Sequence, residues 1–335
     1  MSKIYEALRQ AEVDKGKNGS SAGSSSAAVA PEPVDIAHDP VRTPVFSNTG
    51  RALAAVPGSE PQPAGANPYV ESRGPVTELS PIGAEALDLS KVPLVTWHPV
   101  LERLPALEER GSAVEQFRSL RSRMQEFRDL NTLKSILVSS GLPREGKSFV
   151  AINLAVSLAR HKAGRVLLID GDMRRATLHE ILGCPITPGL TEYLAGSASI
   201  LEVMQRPKPD SPTSPVPPGL ASLTFIAAGK EHDKAGDLSG NRRFQTLITA
   251  VKPYFDWIIV DSSPVNLVSD GVNLARSCDA VLLVARGGIT RYEVAQRAVA
   301  ELKASKILGF VLNAVKNPPI AGGYYGYDGY DKIEA

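Results

Sequence analysis

"GLPREGKS", residues 141–148, fits the pattern G-x-x-x-x-G-K-[ST] without a gap. An apolar run, "KSILVSS" (134–140), precedes it, and a helical pattern, "FVAINLAVSLARH" (149–161), follows. Strand, glycine turn and helix, in that order, predict a phosphate-binding loop. Gly141 and Gly146 let the backbone curl so that amide groups converge on phosphate oxygens. A helix starting near Lys147 turns its positive end towards the same phosphates. Lys147 neutralises β/γ charge, and the Ser148 hydroxyl is placed to ligate Mg²⁺. Leu142, Pro143, Arg144 and Glu145 fill the turn. With Gly141, Gly146, Lys147, Ser148 and Phe149 they make up the expected ATP-contacting segment.

Outward from the loop, short β-branched runs alternate with helical patterns. They include "LTFIAAG" (223–229), "NRRFQTLITAVKPYF" (241–255), "AVLLVAR" (280–286), "RYEVAQRAVAELKAS" (291–305) and "ILGFVLN" (307–313). Such alternation predicts an α/β fold with a doubly wound, mostly parallel sheet covered on both faces. Two strands end in acids. "RVLLIDGDMRR" (165–175) delivers Asp170 and Asp172, and "FDWIIVDSSP" (255–264) delivers Asp261. Ligands of open α/β sheets bind beyond the carboxyl ends of strands, so all three acids are expected beside the loop. Any one of them alone reads as a strand-end turn or a helix cap. Three in one sheet read as a site. Asp261 suits a magnesium-holding acid, Asp172 shares that task, and Asp170 is the candidate for receiving or orienting a hydroxyl proton.

The rest of the 335 residues bounds the problem. The net charge of +1 predicts no nucleic-acid partner. Cys184 and Cys278 match no metal or disulfide spacing, which fits a reduced, cytoplasmic setting. No apolar run is long enough to cross a bilayer, and "MSKIYEALRQAEVDK" lacks the apolar centre of a signal peptide. Any attachment to the inner membrane is therefore expected to be peripheral, through a partner. Residues 1–15 read as a short amphipathic docking arm, and 16–93 as a disordered linker rich in Ser, Ala, Pro and Gly. Residues 94–317 read as the domain that carries the phosphate loop, interrupted by an exposed proline-rich insertion at 206–219. Residues 318–335 form a tail, "GGYYGYDGYDKIEA" at its end, which places Tyr324, Tyr325, Tyr327 and Tyr330 on a glycine-spaced segment unable to pack a core.

Taken together, these motifs resemble the bacterial tyrosine autokinases of capsule and exopolysaccharide biosynthesis. The resemblance rests on the loop Gly141–Ser148, on the D-x-D of Asp170-Gly171-Asp172, on Asp261, and on the tyrosine tail. "EQFRSLR" adds the family's E-x-x-R-x-x-R as Glu115, Arg118 and Arg121. It covers roughly residues 94–335, and the opening "MSKIYEALRQAE" is similar to that of exopolysaccharide-associated members. The resemblance implies an ATP- and Mg²⁺-dependent kinase that phosphorylates its own tail tyrosines. It also implies a ring of identical subunits joined through Glu115, Arg118 and Arg121. A membrane-spanning chain-length regulator as a separate chain and a tyrosine phosphatase are its expected partners. Without the other motifs, Glu115–Arg121 reads as an ordinary amphipathic helix with Phe117, Leu120, Met124 and Phe127 along one stripe. Two positions depart from the family pattern: Ser262-Ser263-Pro264 follows Asp261 where Thr-Pro-Pro is usual, and Phe149 stands where a small or hydroxyl residue is usual. The alternatives are a MinD/ParA-like ATPase and a non-catalytic nucleotide switch that scaffolds an export machine. The first is disfavoured by Leu142, where those proteins carry a signature lysine.

Overall fold

The computed structural model describes residues 86–161, 164–210, 215–230 and 234–316. The docking arm, nearly all of the linker and the tail tyrosines Tyr324, Tyr325, Tyr327 and Tyr330 lie outside the described residues. Eight strands form one sheet: β1 (Leu94–Thr96), β2 (Ser135–Ser140), β3 (Val166–Gly171), β4 (Met204–Lys208), β5 (Leu223–Ile226), β6 (Trp257–Ser262), β7 (Ala280–Arg286) and β8 (Ile307–Asn313). Their order is β1-β4-β5-β3-β6-β2-β7-β8, parallel throughout except where β4 meets β5. Four helices of ten residues or more are described: α1 (Ser112–Asn131), α2 (Lys147–Arg160), α3 (Arg242–Val251) and α4 (Tyr292–Glu301).

The central strands read as unbroken apolar runs because both faces of the sheet are covered. In β3, Val166 and Leu168 join a core on one face, and Leu167 and Ile169 join a second core on the other. In β6, Trp257 and Ile259 lie on the first face, and Ile258 and Val260 on the second. The first face carries α2, whose residues 150–159 are all buried. The second carries Phe244, Leu247, Ile248 and Val251 of α3 and Ala298 of α4. Helices on both faces make the sheet doubly wound, as the alternation predicts.

Two boundaries differ from the sequence reading. Regular structure is described before Leu94: Leu89–Lys91 forms a 3-10 turn with Asp88 accepting from the Ser90 amide. Val92 is buried in the core. The proline-rich 206–219 is not wholly an exposed loop, because its first residues belong to β4. Pro207 is tolerated in that strand because β5 pairs only with Met204 and Gln205, so no neighbour on that side needs an amide from Pro207. β1 pairs along the other side, Val95 opposite Pro207. Among the described residues, no helix is long and apolar enough to cross a membrane.

Candidate active site

The loop after β2 is braced from behind. Gly146 caps α2 with φ +95°, and a Cβ there would lie 1.9 Å from Asn313 Nδ2. That Asn313 amide donates to the Glu145 carbonyl at 3.0 Å. Glu145 is buried; its Oε2 accepts from the Leu142 amide at 2.8 Å and its Oε1 from the Thr290 hydroxyl. Pro143, Arg144, Gly146, Lys147, Ser148 and Phe149 line a cavity of about 420 Å³. Gly141, Leu142 and Glu145, expected to contact nucleotide as well, do not line it. The Glu145 side chain points into the protein because it satisfies the loop's own amide.

The pleat brings the acids to this cavity. Residues 166, 168 and 170 of β3 and 257, 259 and 261 of β6 point to the face that carries α2, and Asp170 and Asp261 are direct register partners. Asp172 lines the cavity; its Oδ2 lies 2.7 Å from Lys147 Nζ, and its Oδ1 accepts from the Ser263 hydroxyl at 2.7 Å. Lys147 also donates to Ser148 Oγ at 3.3 Å. Between the two acids, Gly171 is required by close approach: a Cβ would stand 2.5 Å from the Asp261 carbonyl oxygen. Asp170 lies deeper than Asp172. It is fully buried, it does not line the cavity, and its two oxygens accept from the backbone amides of Asp172 (3.2 Å) and Leu178 (3.1 Å). It therefore holds the segment 172–178 in place, and Asp172 is the acid at the cavity wall.

Mutual charge and burial set the ionisation. Burial pushes the Asp170 carboxyl well above the usual range, and the neighbouring Asp261 adds to this against the Leu178 amide. Burial likewise raises Asp261 to about 6, while Lys147 and the nearby Ser148 hydroxyl pull it down. Burial alone would lower Lys147, but the carboxylates of Asp261 and Asp172 outweigh it and hold the ammonium above its ordinary value. Both Asp261 oxygens are buried without a hydrogen-bond partner of ordinary geometry. Such orphaned oxygens, with Ser148 Oγ and Asp172 nearby, suit a hard cation. Among the described residues no three His, Cys, Asp or Glu side chains form a cage. The donor set fits Mg²⁺, which is typically held by one or two carboxylates together with substrate phosphates.

Sequence reasoning missed Arg174, Arg175, Thr177, Ser263 and Leu267, all of which line the cavity. The two arginines follow the D-x-D directly and could have been found by adjacency. Arg174 is aimed by the buried Asp270, Nε to Oδ2 at 2.6 Å. Glu115, Arg118 and Arg121 lie on α1, and none lines the cavity. Arg118 pairs with Glu115 and donates to the Glu109 carbonyl at 3.0 Å. Arg121 donates to the Ser157 carbonyl of α2 at 3.1 Å. Phe117 and Met124 of the predicted stripe are buried, Leu120 packs beside them, and Phe127 is exposed. Phe117 meets Phe149 edge-on, with ring centroids 5.8 Å apart, so α1 rests on the first turn of the loop helix.

A doubly wound sheet with a phosphate loop and acids from two adjacent strands defines a P-loop nucleotide-binding protein. The comparisons narrow the class. The chain is 30% identical over 224 residues to the tyrosine-protein kinase CpsD of Streptococcus agalactiae, covering 66% of this chain and 91% of that one. It is 30% identical over 220 residues to the tyrosine-protein kinase ptk of Acinetobacter johnsonii, covering 64% of this chain but 28% of that protein. Its structure matches the kinase domain of the Escherichia coli tyrosine kinase ETK with a TM-score of 0.58 and 28% identity, over 67% of this chain and 85% of that one. No protein-family model matches the chain. The chain belongs to the bacterial tyrosine-protein kinases. It spans less than a third of the Acinetobacter relative's length.

Proposed function

We propose that this chain uses ATP and Mg²⁺ to phosphorylate Tyr324, Tyr325, Tyr327 and Tyr330 of its own tail, mainly between neighbouring subunits of a ring. In this reading phosphorylation regulates exopolysaccharide or capsule polymerisation and export. The observation that carries the kinase reading is that Lys147, Ser148 and Asp172 meet at the cavity, with the buried, orphaned Asp261 close behind them. Ser148 Oγ, Asp261 and Asp172 would hold the magnesium, which neutralises phosphate charge when bound. Lys147 leaves Asp172 for phosphate oxygens, and the amides around Gly146 hold the same group at the start of α2. Arg174 and Arg175 add positive charge to the cavity lining. Phosphoryl transfer through a loose transition state demands little early proton removal. Asp170, register partner of Asp261 at the carboxyl end of β3, receives or orients the acceptor's hydroxyl proton in this reading. The glycine-spaced tail enters extended and presents one phenol at a time.

Glu115, Arg118 and Arg121 supply the contact between subunits in this proposal. A membrane-spanning chain-length regulator, as a separate chain, activates the enzyme and keeps it peripheral to the inner membrane. A tyrosine phosphatase resets the tail. The test incubates purified protein with labelled ATP and Mg²⁺, with and without the regulator's cytoplasmic segment, and maps phosphate by mass spectrometry. Label on the tail is expected in wild type, with a fall of about 10²-fold or more in Lys147→Met, since charge stabilisation is the main catalytic device. Nucleotide binding with an unlabelled tail would instead favour the scaffolding switch.

A further inference from the structure

A second polar cavity lies on the α1 side of the molecule, away from the loop. Its volume is about 270 Å³, and Arg118, Arg121, Arg160 and His161 line it with Ser157. Three guanidinium groups from two helices therefore share one small pocket, and Arg118 pairs with Glu115, which does not line it. Their backbone partners account for part of this. Arg160 Nη1 donates to the carbonyls of Ala106 (2.6 Å) and Glu108 (2.7 Å), and Arg118 Nη2 to that of Glu109. Arg121 is less well served: Nη1 reaches the Ser157 carbonyl, but its Nε is buried without any hydrogen-bond partner. An unpaired, charged, buried donor is costly, and a cluster of like charges adds to the cost. Burial, and then Arg118 and Arg160, push the Arg121 guanidinium below its ordinary value. A doubly charged oxyanion in the cavity would offset the crowding of like charge. Its several acceptor oxygens match planar guanidinium forks, which is the arrangement by which arginine clusters take phosphate.

We propose that Arg118, Arg121 and Arg160 form a binding site for a phosphate dianion, separate from the nucleotide cavity. The dianion can be free inorganic phosphate or the phosphomonoester of a phosphotyrosine in this chain's tail; the latter source rests on the autokinase reading, whereas the site itself does not. Occupation would draw on the two α1 arginines assigned to the subunit contact, so phosphate and a neighbouring subunit would compete for them.

The experiment uses the full chain with its nucleotide site saturated by ADP and Mg²⁺. Inorganic phosphate, phenyl phosphate and a phosphotyrosine peptide of residues 322–335 are titrated by calorimetry. Saturable binding is expected, weakened about tenfold or more in Arg121→Ala, with ADP affinity unchanged. Arg121→Lys keeps the charge but loses the forked geometry and should bind with intermediate strength; circular dichroism and the retained ADP affinity check that both variants fold. Peptide binding well above that of phosphate assigns the site to the tail, and equal binding assigns it to free phosphate. Failure of all three probes to bind wild type, or equal binding by wild type and Arg121→Ala, overturns the proposal. Lys147→Met should bind the probes as wild type does, so a failed kinase assay and a failed phosphate site remain distinguishable.

Discussion

Lys147, Ser148 and the D-x-D acids were legible because their chemistry is written in local spacing. The groups that hold them were not. Glu145 is braced by Asn313, 168 positions away, and by Thr290, 145 positions away, and no pattern in the chain links them. The acceptance by Asp170 from the Leu178 amide is likewise a tertiary fact. The bracing makes a sharp expectation for Gly146→Ala. A methyl group at φ +95° is strained, and it would collide with the Asn313 amide that steadies Glu145. Affinity for ATP with Mg²⁺ should fall by about tenfold or more while circular dichroism stays native. Unchanged affinity by calorimetry would show that the loop does not need this geometry. Asp261 gives a pH expectation. It faces Lys147, Ser148, Asp172 and Asp170, and its folded value of about 6 lies above its ordinary value. A raised carboxyl stabilises the folded chain below its unfolded pKa, and that contribution is lost as pH rises through the folded value. Asp170, also raised, acts in the same direction. The nucleotide-free protein should therefore lose stability as pH climbs from about 4 to about 6 through these groups. Thermal stabilisation by ATP with Mg²⁺ should grow over the same window, because the ion requires ionised Asp261. Melting curves of wild type and Asp261→Asn across that range test this; the variant should lack the growth.

At the scale of elements, α1 packs as the amphipathic reading expects and carries the residues of the proposed subunit contact on its charged row. Its inner face, with Phe117 and Met124, packs on the core, as the amphipathic pattern predicts. Its charged row carries Glu115, Arg118 and Arg121, but the last is tied to α2 through Ser157 rather than fully exposed. Changing Arg118 and Arg121 to Ala together should thus cost about 1 kcal/mol of stability through the lost Ser157 bond, more than a purely exposed pair would. It should also shift the unphosphorylated protein towards monomer, as light scattering would show. An unchanged mass distribution, from a demonstrable oligomer, would remove the subunit role and leave the helix as packing alone. Phe117→Ala acts on the opposite face. Removing the ring that meets Phe149 should destabilise the fold by about 3 kcal/mol, measured by denaturant unfolding. Phe149, read from sequence as a departure in the loop helix, has a physical reason here: it couples that helix to α1 while still lining the cavity.

Across the whole molecule, the parallel sheet was legible because strands buried on both faces read as continuous apolar runs. The β1–β4 edge was not, because β1 is three residues long and β4 contains Pro207, so neither carries a strand signal. The edge lies far from the loop in strand order, so missing it cost nothing at the site. The remaining question concerns how the catalytic domain and the tail meet. A tail that begins after β8 is tethered close to its own loop, since Asn313 at the end of β8 touches Glu145. Proximity alone would favour transfer within one chain, but in-line attack also demands that the phenol approach from the side opposite the leaving group. In the proposed ring each tail would reach the adjacent cavity, which would meet that demand and couple the subunit contact to catalysis. The test mixes two chains that cannot label themselves: Lys147→Met with an intact tail, and a chain with an intact site whose Tyr324, Tyr325, Tyr327 and Tyr330 are changed to Phe. Phosphate should appear on the tail of the Lys147→Met chain. Adding the Arg118→Ala and Arg121→Ala changes to that chain should weaken the labelling, because capture depends on assembly. As phosphates accumulate, each brings about −1.5 to −2 charge to a tail that already holds Asp328, Asp331 and Glu334, so the oligomer should loosen and added salt should blunt the effect. If the mixture stays unlabelled while wild type labels well under the same conditions, transfer runs within one chain, and the short tether from β8 rather than the ring sets the geometry.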